Sequence, residues 1–258
     1  MSDILGERDP SVPDTPTRVA EPSRESQLPK RFYKSVKIVE DEEFQVRLDD
    51  RPVRTPGKAI LAARSRQIAK RIAGEWEAQS ERIDPMTMPV TRLVNTAIDG
   101  VANEMQAVKE DIIRYSGTDL LCYRAGGPED LVAIYRQKWD PIIEWAQFDL
   151  NARFLLAEGV MHVEQPPETI GAMSTHIGSV DDPLVLAAAH VVTSLTGSAL
   201  LALAVVRGEL DADEAWDIAH VDEDWNISLW GEDYEASERR AKRYIDMQAA
   251  CFCIRALT

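Results

Sequence analysis

The spacing of apolar positions changes once along the chain, near Ser65. Before it the period is two. Phe44, Val46 and Leu48 alternate with Gln45 and Arg47, the pattern of a half-buried strand. Asp49–Asp50 sits where a two-residue hairpin turn belongs, and Arg51–Pro56 runs back. Pro52 has no N–H to give to a ladder, so the return strand lies at an edge or starts there. Lys58–Ala63 offers a further short strand. From Ser65, expected to cap, the period becomes 3.6. Ile68, Ala69, Ile72, Ala73 and Trp76 form one stripe of a helix predicted over 66–79. A small antiparallel sheet with that helix against it buries both apolar faces.

Beyond residue 85 the pattern is helical almost throughout. Val90, Leu93, Val94, Ala97, Ile98 and Val101 make one stripe, with Pro89 at a first-turn position. The opposite face holds Arg92, Asn95, Thr96 and Asp99; it reads as a solvated face, with Arg92 a candidate to hold an acid across the bundle. Met105, Val108 and Ile112 mark a further helix. Residues 127–148 begin with Gly127–Pro128, and Pro141 within them should kink or restart the helix near Trp139–Asp140. Residues 149–180 are weakly patterned, with 159–168 extended and 168–177 helical. Pro183–Val206 carries no charge and is long enough to cross a bilayer. Its middle holds Thr193, Ser194, Thr196, Gly197 and Ser198, and no Lys/Arg cluster flanks it, so two buried helices are expected, broken near Thr196–Gly197 with Ser198 capping the second. The reading is α+β: a mobile tail over 1–28, a small α+β domain over 29–82 and a helical domain over 83–258.

Composition narrows the function. Of 258 residues 45% are hydrophobic, enough for a packed core, and the net charge is −15, which argues against nucleic acid or an anionic membrane as main partner. The three cysteines, Cys122, Cys251 and Cys253, lack framework spacing and read as free core thiols. The four histidines show no ligand spacing. The tail lacks the apolar segment of a secretory signal, and its acids argue against a mitochondrial transit peptide. No phosphate loop, no GxSxG elbow and no GxGxxG after a strand is present, so no cofactor is expected.

The candidate chemistry lies in His220–Glu235, HVDEDWNISLWGEDYE. Gly208 should end the preceding helix, and Asp211 with Glu214 has the spacing of a capping box. One helix from there to Trp230 places Ile218, Trp225 and Leu229 on an apolar arc, extended by Trp216 and Trp230. Asp222 falls within that arc, Glu223 beside it among Trp216, Ala219 and Trp230, and Asp224 on the solvated face. A carboxylate on an apolar face must be paired, must cap backbone, or must meet a partner's cation. Between Gly208 and Glu238 there is no Lys or Arg, a one-sign field that steers a basic surface.

In order along the chain, LDDRPVRTP, EWEAQ, DPMTMPVTRLVNTAID, DLLCYRA, QKWDPIIEW and DEDWNISLWGE resemble the assembly chaperone of the F-type ATP synthase that binds the free α subunit of the catalytic sector. The resemblance covers roughly residues 31–235. It implies a small α+β domain followed by an orthogonal helical bundle, and holdase work rather than catalysis, on an unassembled α subunit. It places the family's functional acid at Glu223, with Asp222, Trp216 and Trp230 around it. A second family acid falls near His190, where this sequence departs. The sequence also has Asp-Asp where the hairpin turn often reads Asp-Gly. A monomer in a bacterial cytoplasm is expected, with a mature mitochondrial matrix protein as the alternative. The competing readings are a hydrolase with an unrecognised acidic site and a non-catalytic structural adaptor.

Overall fold

The computed structural model describes residues 28–159 and 161–258; the tail expected over 1–28 lies outside them except for Leu28. The chain opens with an antiparallel sheet of β1 (Val36–Glu40), β2 (Phe44–Leu48), β3 (Arg51–Pro52) and β4 (Ala62–Ala63). β2 pairs with β1 along its whole length, and β3 and β4 share its other edge. The hairpin turn falls at Asp49–Asp50, as the alternation predicts. Asp49 adopts φ of 54°, which Asp tolerates better than most residues. Its carboxylate accepts from the Lys34 N–H at 3.1 Å, the Ser35 N–H at 3.0 Å and the Ser35 hydroxyl at 3.2 Å. These bonds offset the strain of a positive φ at Asp49, and the two backbone donors foremost hold its pKa below the ordinary value.

Helix α1 (Arg66–Glu77) packs against the sheet, burying Ile68 and Ile72 with Val46 and Leu48. It ends two residues before the expected Gln79. Ser65 is its N-cap in position, but the side chain accepts no hydrogen bond there.

The helical part follows as α2 (Pro89–Asp99), α3 (Met105–Ser116), α4 (Glu129–Lys138), α5 (Asp140–Asp149) and α6 (Pro167–Gly178). Then come α7 (Pro183–Thr196), α8 (Ala199–Arg207), α9 (Ala212–Ala219), α10 (Val221–Trp230) and α11 (Tyr234–Arg255). The restart at Trp139–Asp140 occurs where Pro141 places it. A two-residue parallel pair, β5 (Tyr123–Arg124) with β6 (Ala157–Glu158), was not expected, since two residues are too short to show a period.

The uncharged segment becomes the α7–α8 hairpin at the centre of the bundle. Gly197 takes φ of 71° at the break, and Ser198 Oγ accepts from the Leu201 N–H at 3.0 Å. α7 packs on α11, α2, α3 and α8. Leu186, Leu200 and Leu201 are wholly buried, each worth about 1.5–3 kcal/mol of apolar burial. Burial on nearly every side explains the missing charges; among the described residues no helix is long and apolar enough to cross a membrane.

Carboxylates from elsewhere in the chain start two of these helices. Glu75, on α1, is buried and accepts from the Val90 and Thr91 N–H groups at 2.8 Å each and from the Thr91 hydroxyl at 2.7 Å, closing the N-terminus of α2. At the other end of α2, Asp99 accepts from the Thr55 hydroxyl at 2.6 Å and the Gly57 N–H at 2.7 Å. Asp99 is therefore a clasp to the sheet, not a member of a solvated face. Arg92 reaches Asp246 on α11 at 2.6 Å rather than Asp222 or Glu223. Of the four polar residues on that face only Thr96 is exposed. Asp119, wholly buried, accepts from Leu121 N–H at 3.2 Å and from Leu200 N–H at 3.0 Å in the first turn of α8.

Glu75→Ala leaves three buried donors without an acceptor and should lower unfolding free energy by about 2–4 kcal/mol in urea denaturation, with Glu75→Gln intermediate. Among the described residues Asp119 has no cationic partner, and burial raises its pKa to about 6 against four opposing hydrogen bonds. The unfolded carboxyl titrates near 3.8. Between these values the folded chain holds a proton the unfolded chain has lost, so this group's contribution to stability falls as pH rises from about 4 to 6 and is level above. Thermal melts across pH 4–7 should show this fall, on the order of 2–3 kcal/mol, in the wild type and not in Asp119→Asn.

Candidate functional site

The single helix expected from Asp211 to Trp230 is two helices. Its start is as expected: Asp211 Oδ1 accepts from the Asp213 and Glu214 N–H groups at 2.9 Å each, and Glu214 returns to the Asp211 N–H at 2.8 Å. The break falls at His220, with φ of −109° and ψ of 21°. Its ring is buried against Trp216 at a centroid distance of 3.9 Å, and Nδ1 lies 2.8 Å from the Trp216 carbonyl. The side chain thus competes for a carbonyl that also takes the His220 N–H at 3.2 Å. A carbonyl only accepts, so Nδ1 carries the proton. Burial pushes the ring pKa below the ordinary histidine value, with Arg240 and Arg243 acting the same way. The imidazole is neutral at neutral pH.

A new helix therefore begins at Val221, and Asp222, Glu223 and Asp224 occupy its first turn. Acids there complement the helix dipole, which accounts for part of the run. Their individual fates differ from those the continuous wheel assigned. Asp222 is exposed rather than held in an apolar arc, and it accepts a hydrogen bond from the hydroxyl of the buried Tyr135. Burial of that phenol, then the Asp222 carboxylate, raises its pKa. Asp224 is not simply solvated; it pairs with Arg240 of α11 at 2.5 Å. Glu223 is half-exposed, with His220 Nε2, on a ring that is neutral, at 3.9 Å and Arg240 acting on it at longer range.

The tryptophans separate across the break. Trp216 is buried in α9, with Tyr244 5.2 Å away. Trp225 is half-buried. Trp230, at the end of α10, is 85% exposed, and Leu229 and Tyr234 on either side of it are exposed too. Gly231, at φ of 84°, turns the chain from α10 towards α11. The result is an apolar tip among the acids Glu232, Asp233 and Glu235.

His190 lies on α7, its Nε2 2.8 Å from Asp111 Oδ2 of α3. That contact foremost lowers the Asp111 pKa. His190 lines a groove of about 270 Å³ with Arg92, Ser194, Leu195 and Asp246. No hydrogen bond or ion pair among the described residues joins it to residues 216–230. The link between the two places is α11. At a three-residue spacing Arg240 holds Asp224, Arg243 donates to the Leu195 carbonyl at 2.8 Å, and Asp246 holds Arg92.

His220 and Tyr135 were not singled out from the sequence. Arg240 had a signal, since the basic run 239–243 follows a cation-free stretch. Tyr135 had none beyond its helix. Cys251 and Cys253 are buried as expected, their thiols pushed up to about 12 mainly by burial.

Comparison with known proteins gives this geometry a family. The model of the ATP12 chaperone protein family matches residues 30–147. The crystal structure of Atu1473, a candidate chaperone from Agrobacterium tumefaciens, is 55% identical, with 90% of this chain and 87% of that one covered and a TM-score of 0.85. Atp12 from Paracoccus denitrificans is 40% identical, over 89% of this chain and 99% of its own, with a TM-score of 0.82. A point mutant of P. denitrificans Atp12p matches at 40% identity over 88% and 97%, with a TM-score of 0.81. With such identity over nearly the whole length, and with the ordered motifs in place, the chain belongs to the ATP12 chaperone family, the ATP synthase assembly chaperones.

Proposed function

We propose that this assembly chaperone holds the free α subunit of the F-type ATP synthase, and that α10 with the tip after it is the contact, centred on Glu223. It does so as a monomeric, non-enzymatic holdase without a cofactor, in a bacterial cytoplasm, with the divisions 29–82 and 83–258 as its two working parts. One observation carries the site. Of the three acids in the first turn of α10, Asp222 is taken by Tyr135 and Asp224 by Arg240, while among the described residues Glu223 makes no hydrogen bond or ion pair to a Lys, Arg or phenol, Arg240 acting on it only at longer range. A half-exposed carboxylate two turns before an exposed Trp230 on the same helix face supplies the charged and aromatic residue types that dominate interfaces. The surrounding cation-free stretch favours a basic client surface. The hydrolase reading fares worse, because Asp222 is already occupied and adjacent helical residues point about 100° apart.

Charge reversal tests the site. Glu223→Lys should weaken co-precipitation of separately expressed α subunit by at least about tenfold, the scale of a truncated interfacial charge, while the melting temperature stays within a few degrees. Asp224→Lys is an unsuitable control, since it breaks the Arg240 pair. Glu209→Lys makes the same charge change at an exposed position before α9 and should alter binding by less than about twofold. Equal binding by the two variants makes Glu223 a helix-terminus acid and nothing more. Capture of the β subunit instead of α would replace the client but leave the site.

A further inference from the structure

We propose that the N-terminal sheet carries a second docking surface, the open edge of β1 with the basic face beside it, for an extended acidic segment of a partner polypeptide. The inference makes no use of Glu223. Its first ground is the distribution of charge. Residues 29–82 hold thirteen Lys and Arg against nine Asp and Glu, within a chain of 29 against 44. Of those nine acids, Glu75 is buried in its cap and Asp49 is tied to Lys34 and Ser35. Another four, Glu40–Glu43, sit together at the far end of β1.

The second ground is the register. Lys37 of β1 stands directly opposite Arg47 of β2. Val46 and Leu48 are buried, so by alternation Lys37 and Arg47 share the outer face, and Arg54, two residues beyond Pro52, follows on the same side. Like charges directly opposite each other destabilise a strand pair. Nothing nearby neutralises them well. Among the described residues Arg47 forms no ion pair and its buried Nε has no hydrogen-bond partner. Lys37 reaches only Asp50, at 3.9 Å, with both side chains largely in water. Such a contact contributes little.

The third ground is the edge itself. β1 pairs with β2 alone. The Asp49 N–H bonds to the Ser35 carbonyl at 2.8 Å, which fixes the ladder phase: Lys37 and Val39 face β2, and the N–H and C=O groups of Val36, Ile38 and Glu40 point to the open side. Among the described residues no backbone or side chain bonds to them. An added strand satisfies these groups and places alternate side chains over the outer face. Acids at those alternate positions meet Lys37 and Arg47, and the four acids of the β1–β2 turn confine them to the Lys37 end. A nucleic acid fits less well: it has no backbone to continue the ladder, and the outer face (Lys37, Val39, Gln45, Arg47) offers no aromatic ring for stacking.

The test uses the full chain, labelled with ¹⁵N, and a blocked peptide of alternating Glu and Val as probe. The peptide should shift the amides of Val36, Ile38 and Glu40 most. Lys37→Glu/Arg47→Glu should raise its dissociation constant at least about tenfold, and the milder Lys37→Gln/Arg47→Gln, which keeps the fold should the reversal disturb it, about threefold. Unchanged affinity in the Gln variant overturns the proposal, as does equal binding of a Lys-Val peptide or a set of shifts away from β1. A dT oligonucleotide that displaces the peptide and moves only outer-face side chains would also overturn it, in favour of a phosphate-binding surface. Since no α subunit enters the experiment, its failure leaves the Glu223 reading untouched.

Discussion

Everything that positions α10 depends on how α2 is held, and α2 is held by carboxylates at its two ends. Glu75 supplies the acceptor that the first N–H groups of a helix lack, from a neighbouring helix rather than from the residue before it. Asp99 does the reverse, reaching from the last turn of α2 to Thr55 and Gly57. A buried carboxylate is costly alone, so each is worth keeping only where several donors converge on it. The consequence is that the angle of α2 to the sheet is fixed by directional bonds and not by apolar contact alone. α7 and α11 pack on α2, and α11 in turn carries Arg240, Arg243 and Asp246 on one line. The last link in that line is Asp224. The start of α10 is thus anchored, through α11, to the same helix that Glu75 caps.

This anchoring gives the acids of α10 different work. A run of three acids in a first helical turn has a ready explanation in the helix dipole, and that explanation would treat them alike. The contacts do not. One acid anchors to α4 through a phenol and one to α11 through a guanidinium, which leaves the middle one oriented by its neighbours and, among the described residues, without a hydrogen bond of its own. His220 contributes by being neutral. Its proton sits on Nδ1 for the Trp216 carbonyl, so the nitrogen that faces Glu223 offers no cation. A charged ring there would have turned Glu223 into an internal salt bridge.

The legible parts of the sequence were those set by local rules. The period change at Ser65, the Asp49–Asp50 turn, the Gly197 break and the Asp211–Glu214 box each follow from residues within a few positions of one another. The illegible parts were set by partners far along the chain. Arg92 and Asp246 are 154 residues apart, and Asp119 meets Leu200 across 81. Seen in sequence, Glu75 and Asp99 look like ordinary polar-face acids. His220 was missed for another reason. A helix that breaks without Gly or Pro does so because a side chain takes a backbone acceptor, and the pattern of apolar residues carries no trace of that. Once the wheel is drawn through the break, positions beyond it lose their phase, although Trp225 still packs against the core as its place on the arc predicts. That is why Asp222 and Asp224 were misplaced while the acid-rich character of the segment was not.

The distribution of charge follows the same division between holding and presenting. Inside the bundle, charged groups appear in pairs or as caps, where low dielectric makes an unpaired one costly. On the surface the two parts of the chain differ in sign: basic around the sheet, acidic along α9 to the start of α11. An assembly chaperone must leave its client as well as hold it. Long-range charge suits that need, since it raises the rate of encounter without adding buried area that would slow release. Buried apolar anchors do the opposite, slowing dissociation. Here the exposed large apolar side chains at the end of α10 are few, a single tip of Leu229, Trp230 and Tyr234. A contact built from wide charge and a narrow apolar anchor would bind quickly and release readily.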